Sequence, residues 1–349
     1  MDYYRPVPGT QVEDLETPCL LVDLDAVEHN FRVVADTYRD TECKMRQHTK
    51  NIKSPRLATM QIEAGGTVGG VCTAKLSEAE VMADGGVPGV LLFSSVVSES
   101  KINRLAALNA RAEGLLVAVD DATNVDQLAH AARGAGMQLR MLVDYEVGGR
   151  RTGIADEDTA IALAKHISAT EGVEYAGLQG YYGGLQNTPD YDERTRLQAI
   201  CVAPLARLIE RLSAEGLAPA IVTGGGSGTY QIDPVQGVLT ENQSGTYIFM
   251  DVNYIDTVFE REIPHPFEVA LLVRTTVISA SNPDYVVTDA GIKEFAREAF
   301  APRILSGPAA GAIYELIGDE SNLMLSADRP GGQSALSRCY IADRDFLLE

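Results

Sequence analysis

The 349-residue chain carries 29 Lys+Arg against 49 Asp+Glu, a formal net charge of −20, with 45% hydrophobic and 22% charged residues. This is ordinary globular composition, sufficient for a sizeable core in one large domain or two. The acidity repels phosphate backbones and anionic lipid surfaces, so nucleic acid and membranes are excluded as expected partners; small ligands held by local cation clusters are not.

The N-terminus "MDYYRPVPGT" is polar, so no signal peptide is expected, and no apolar run approaches the ~18–20 residues of a membrane span. Cys19, Cys43, Cys72, Cys201 and Cys339 form no CxxC pair or dense framework. That spacing fits a reducing cytoplasm.

In chain order, "TPCLLVDLD" reads as a first strand. Strand-length apolar runs then recur: "CKMRQH" (43–48), "GGVCT" (69–73), "GVLLFS" (89–94), "LLVAVD" (115–120), "LRMLVDYE" (139–146), "YAGLQGYY" (175–182), "AIVTGG" (220–225) and "TYIFMDV" (246–252). Continuous apolar runs of this length predict strands buried on both faces. Amphipathic stretches separate them, among them "AKLSEAEVMADG", "ATNVDQLAHAARGAG" and the long "RTRLQAICVAPLARLIERLSAEG". The second of these starts at Asp121 and closes on Gly134 and Gly136, which are helix start and stop signals. Eight strands alternating with helices predict a (β/α)8 TIM-like barrel over residues 26–255, with a doubly wound sheet as the alternative. From "PFEVALLVRTTVISAS" and "DYVVTDAGI" onward the strands lack long intervening helices. Residues 256–349, completed by 1–25, therefore read as a second, mostly β domain.

Barrel sites lie where strands end, at the C-terminal rim. The first run is followed by "HTKNIKSP", which places His48 and Lys50 close to Arg46 and Lys53. A solvated basic turn is the plain reading. The sharper one is a nucleophilic lysine, because protonating an amine beside other cations is costly and a neutral amine condenses with a carbonyl. The fifth run leads into "DYEVGGRRTG" with Arg151, and the sixth contains Gln179 and ends in Tyr181 and Tyr182. Arg151 reads as a cation beside a ligand ring or as a surface arginine. Gln179 and Tyr181 read as pocket residues or as barrel filling. The seventh run leads into "TGGGSGTY" (223–230), where Gly226, Ser227 and Gly228 would let successive backbone amides cradle an anion. "QSGTY", with Gly245 and Thr246, precedes the run taken as the eighth strand and offers a second set of amides. A flexible turn is the competing reading; no GK[ST] follows, so this is not a Walker loop. A reactive amine facing a phosphate cradle implies one cofactor with both an aldehyde and a phosphate, pyridoxal 5′-phosphate. HxD, HxH and HExxH are all absent, and no metal ligands are assigned.

"TPCLLVDLDAVEHN", "RQHTKNIKSP", "GGVCTAKLSEAEVMADGG", "GLQGYYG", "TGGGSGTY" and "NQSGTYIFMDVNY" occur in an order that resembles the family of D-threonine aldolase, 3-hydroxy-D-aspartate aldolase and D-serine dehydratase. These are fold-type III, alanine-racemase-like enzymes that use pyridoxal phosphate. The resemblance covers residues ~17–292 and is strongest to the aldolases. It implies that Lys50 is the Schiff-base lysine, with Arg151, Gln179, Tyr181, Ser227, Gly245, Thr246 and Tyr254 around the cofactor; His48 joins them from its place beside Lys50. It also implies a homodimer and a divalent metal. Ile52 and a position near Asn187 depart from histidines of relatives, Ala74 from a glutamine, and "GDESN" (318–322) from an Asp-Glu-His segment. "IADRDFLLE" resembles the strand that precedes the metal-binding segment of relatives, leaving two readings open: a truncated C-terminus or a branch without the metal. The reaction implied is cleavage of a β-hydroxy D-amino acid to glycine and an aldehyde. Dehydratase-like elimination, racemisation and cofactor binding without turnover are the alternatives.

Overall fold

The predicted first strand is β1 (Cys19–Val22), followed by α1 (Leu24–Tyr38). Eight parallel strands then close into a barrel: β2 (Lys44–His48), β3 (Thr67–Thr73), β4 (Leu91–Leu92), β5 (Leu116–Val119), β6 (Leu139–Asp144), β7 (Val173–Gly180), β8 (Ile221–Gly224) and β9 (Glu241–Asn242). The computed structural model describes residues 4–255, 266–282, 285–295, 302–306, 313–316, 321–324 and 338–342. By contact the chain divides into two compact units, Phe31–Tyr247 and Met1–Asn30 with Ile248–Leu347.

Helices α2 (Pro55–Ala64), α3 (Leu76–Asp84), α4 (Glu99–Asn109), α5 (Ala122–Gly134), α6 (Glu157–Ala169), α7 (Tyr191–Ala214) and the single turn α8 (Asp233–Gln236) connect the strands. Local chemistry sets their starts. The side chains of Ser54, Asp121, Asp156 and Asp190 accept the backbone N–H groups of Leu57, Asn124, Thr159 and Glu193, amides that have no carbonyl behind them in the first turn. Pro55 follows Ser54 at a position where a missing N–H costs nothing. Strands buried on both faces need apolar side chains on both, and Cys72, Leu91, Leu116, Leu142 and Ala176 pack into one core cluster with Phe93 and Ile221.

The structure corrects the eighth strand. "TYIFMDV" is not in the barrel; closure falls to Glu241 and Asn242, which pair with Lys44 and Met45 of β2 and with Thr223 and Gly224 of β8. Thr246–Ile248 forms a 3-10 turn instead. Tyr247, Ile248, Phe249 and Met250 are buried, and a short buried apolar run looks the same in sequence whether it is extended or coiled. The consequence is functional: "QSGTY" follows the last barrel strand rather than preceding it. Both glycine-containing turns therefore lie at strand C-termini.

In the other unit every strand pair among the described residues is antiparallel. Strands β10 (Leu271–Ser279), β11 (Tyr285–Thr288), β12 (Arg303–Ser306), β13 (Ile313–Leu316), β14 (Ser321–Met324) and β15 (Arg338–Ala342) run in the order β12-β15-β10-β11-β14-β13, and β1 also pairs with β10. Arg274 of β10 is buried and donates to the Leu15 and Glu13 carbonyls, tying the N-terminal segment down. Asp289 accepts from Thr17 and Thr275 in the same unit. Most of "GDESN" and the end of "IADRDFLLE" lie outside the described residues.

Candidate active site at the barrel rim

Strand β2 delivers the candidate lysine. Its last residue, His48, is buried, and its amide donates to Ser244 O at 2.9 Å. The chain then turns: Lys50 is exposed at the rim, and its amide donates to His48 Nδ1 at 3.3 Å. An acceptor Nδ1 puts the single proton of a neutral imidazole on Nε2. Burial, then the charges of Lys50 and Arg151, hold the His48 pKa well below its usual value, so the ring is neutral at pH 7.

That overturns part of the expected cation field. Arg46 does not face the lysine turn; its Nε and Nη2 each lie 2.6 Å from the Glu241 carboxylate of β9, both side chains being buried, and Nη1 donates to Gly89 O. A bidentate pair of this kind cancels Arg46 as a source of positive potential at the rim. His48 contributes no proton charge either. The cations that act on His48 are Lys50 itself and Arg151, from the loop after β6.

Arg151 lies over two rings, its Cζ 4.9 Å from the Phe93 centroid and 5.3 Å from that of Tyr181. Phe93 in turn meets the His48 ring edge-on at 5.4 Å. Gln179, predicted as an interior strand residue, is buried; its Nε2 donates to Asp144 Oδ1 at 3.0 Å and Phe93 O at 3.2 Å, while its Oε1 is buried with no partner among the described residues. Thr152 donates to the other Asp144 oxygen at 2.7 Å, and burial raises that carboxyl's pKa. Burial also raises the Tyr181 hydroxyl's pKa against the opposing pull of Arg151, so the phenol is protonated at neutral pH.

The two glycine turns meet on the lysine side of this rim. Asn51, next to Lys50, donates through Nδ2 to Gly245 O at 2.7 Å. The Gly245 amide reaches Ser227 Oγ at 3.4 Å, a long contact that links one turn to the other. A Cβ on Gly245 would lie 2.8 Å from His48 O, so only glycine allows this approach. In the first turn, alternate amides face inward rather than forming an open row: Gly226 N–H donates to Thr229 Oγ1 at 3.1 Å and Gly228 N–H to Gln186 Oε1 at 3.0 Å. Those glycines answer crowding from within the protein, since a Cβ at Gly228 would overlap the Gln186 carbonyl and one at Gly225 the Asp233 carboxylate. Ser227 and Thr246 each open a 3-10 turn, so no carbonyl stands behind their N–H groups within the turn.

Of the residues singled out in sequence, the structure brings His48, Lys50, Gly245, Ser227, Arg151, Gln179 and Tyr181 onto one rim, through Asn51 and Phe93. Thr246 stands beside Gly245. Tyr254 belongs to the other unit, where it is buried and its amide donates to Asp251 Oδ1 at 2.9 Å. Sequence reading missed Phe93, Asn51, Gln186 and Asp233; Asn51 stands inside "HTKNIKSP" without being singled out there, and the importance of all four comes from partners distant in the chain. Among the described residues no group of three or more His, Cys, Asp or Glu is arranged to hold a metal ion, so the metal implied by resemblance has no ligand set there.

The arrangement defines a (β/α)8-barrel protein with an amine, an arginine over two aromatic rings and two glycine-containing turns on its C-terminal rim. Residues 22–252 match the family described as "Alanine racemase, N-terminal domain", and the chain belongs to that family. It is 36% identical over 290 residues to a 3-hydroxy-D-aspartate aldolase of Paracoccus denitrificans (strain Pd 1222), covering 82% of this chain and 75% of the relative. It is 34% identical to a D-threonine aldolase of Arthrobacter sp over 327 residues, 94% of this chain and 84% of the relative. Among solved structures, D-threonine aldolase from Filomicrobium marinum superposes with a TM-score of 0.88 at 34% identity, covering 96% of this chain and 88% of that one.

Proposed function

We propose that the protein is a pyridoxal 5′-phosphate-dependent carbon–carbon lyase. Its substrates are β-hydroxy D-amino acids of the D-threonine or 3-hydroxy-D-aspartate type, and its products glycine and an aldehyde. One observation carries the reading: an unbroken run of contacts joins Ser227 and Gly245, through Asn51 and His48, to Phe93, Arg151 and Tyr181, with Lys50 inside it. The similarity to two aldolase types supports the reaction class.

The residues fit that cofactor. Lys50 supplies the amine that would hold its carbonyl end. Ser227, Gly245 and Thr246 present hydroxyl and amide donors suited to its phosphate. Arg151 and the unpartnered Gln179 Oε1 offer a cation and an acceptor to the remaining polar atoms. When bound, the cofactor supplies an electron sink for the charge left as a Cα–Cβ bond breaks. The chain's own groups do the rest. Neutral His48 holds the Lys50 backbone through its acceptor Nδ1. Protonated Tyr181 is a hydrogen-bond donor beside Arg151, and Phe93 also packs against that guanidinium.

Incubating the purified protein and cofactor with D-threonine and with 3-hydroxy-D-aspartate should release glycine and the matching aldehyde. Keto acid and ammonia would instead indicate a dehydratase, L-enantiomer a racemase, and cofactor absorbance without product a binding homologue. A homodimer in a reducing cytoplasm belongs to the same reading; the free Cys19, Cys43, Cys72 and Cys201 accord with that compartment, and solution mass tests the dimer.

A further inference from the structure

Asp233, in the one-turn helix α8, is a buried carboxylate outside every motif. Three side chains from separate elements donate to it. Gln198 Nε2 of α7 reaches Oδ1 at 2.6 Å; Thr229 Oγ1, from the turn after β8, and Asn242 Nδ2, from β9, reach Oδ2 at 2.8 and 2.6 Å. Two of those donors are themselves links. Thr229 Oγ1 accepts the Gly226 amide at 3.1 Å, which pins the first glycine turn. Asn242 Oδ1 accepts the Ser244 amide at 2.9 Å and the Ser244 hydroxyl, which pins the second. Ser244 O then accepts the His48 amide, one bond from the lysine turn. Gly225, at φ +66°, passes so close over the carboxylate that a Cβ would overlap it.

We propose that Asp233 is a positioning residue that fixes the spacing of the two glycine turns, and so sets how strongly the site prefers a phosphorylated ligand over its unphosphorylated counterpart. The inference rests on the reading of those turns as a phosphate cradle. The geometry supports it because one carboxylate is the shared terminus of both hydrogen-bond chains. Charge-assisted bonds of this length are strong and directional, and chains of them reinforce one another. Asp233 touches no reacting atom in this scheme; it acts through Thr229, Asn242 and Ser244.

The test compares equilibrium binding of pyridoxal 5′-phosphate and pyridoxal to the purified full-length protein, with melting temperature recorded alongside. Wild-type protein should prefer the phosphorylated form; equal affinity would overturn the cradle reading itself. In Asp233→Ala the preference should fall by about tenfold or more while pyridoxal affinity stays nearly constant. Asp233→Asn should restore most of it, since the Gln198 amide can turn to meet the new donor. If both ligands weaken together in Asp233→Ala, or neither does, Asp233 only supports the fold and the proposal fails while the cradle reading stands. Should Asp233→Ala not fold, Asn242→Ala decides, because it cuts the branch to Ser244: loss of phosphate preference supports the proposal and retention overturns it.

Discussion

Arg46 and Lys50 lie four residues apart, one inside β2 and the other just beyond it, and the barrel treats the two cations in opposite ways. Arg46 is buried, with both faces of its charge answered by Glu241 across the β2–β9 seam. Lys50 is exposed on the rim, beside a histidine that burial and the charges of Lys50 and Arg151 keep neutral. The strand interior uses charge to close the barrel, whereas the rim keeps an amine available. A basic run in a sequence can therefore be divided by the fold into a structural part and a reactive part.

The largest effect that separates these roles is on activity. Lys50→Ala should lower turnover on the order of 10³-fold or more, while the urea midpoint moves little. A parallel loss of stability would break the division between strand and rim. Arg46→Ala should do the reverse, destabilising the fold by about 3–5 kcal/mol, because it strands the Glu241 carboxylate in the interior. Replacing both by apolar residues of similar volume should recover much of that stability, as denaturant titration would show.

A third prediction concerns pH. Burial raises the Asp233 pKa to about 6, although its three donors pull it down. The unfolded chain releases that proton near pH 3.9. Between the two values the folded protein holds more protons than the unfolded one, so this group makes stability fall as pH rises from about 4 to about 6, by about 3 kcal/mol at most. Asp233→Asn should remove that component, measured as the difference between wild-type and variant denaturation midpoints across the interval. A smaller stability effect than that of Arg46 or Asp233 belongs to Arg151→Ala. Its stacking on Phe93 and Tyr181 is worth about 0.5–1 kcal/mol. Activity should fall by more than that figure implies if the cation also meets the cofactor.

Seven of the barrel strands were readable because strands covered on both faces must be apolar, and that demand shows in short runs. The eighth was not, because Glu241 and Asn242 are a polar pair whose role is set by register with β2 and β8, while the apolar run after them is buried without being extended. Lys50 and the two glycine turns were readable as rim residues once a barrel was assumed. The neutralisation of Arg46 was not, since its partner lies 195 residues away. Nor was the reason for glycine in the first turn, which is the closeness of Gln186 and Asp233. "QIDPV" gives no local sign that three distant donors converge on its aspartate.

The most direct test of the central claim is to reduce the cofactor-loaded protein with borohydride and map the modified peptide. The account predicts a pyridoxyl group on Lys50. Its appearance on Lys44, Lys53 or Lys75, or on no lysine, would contradict it.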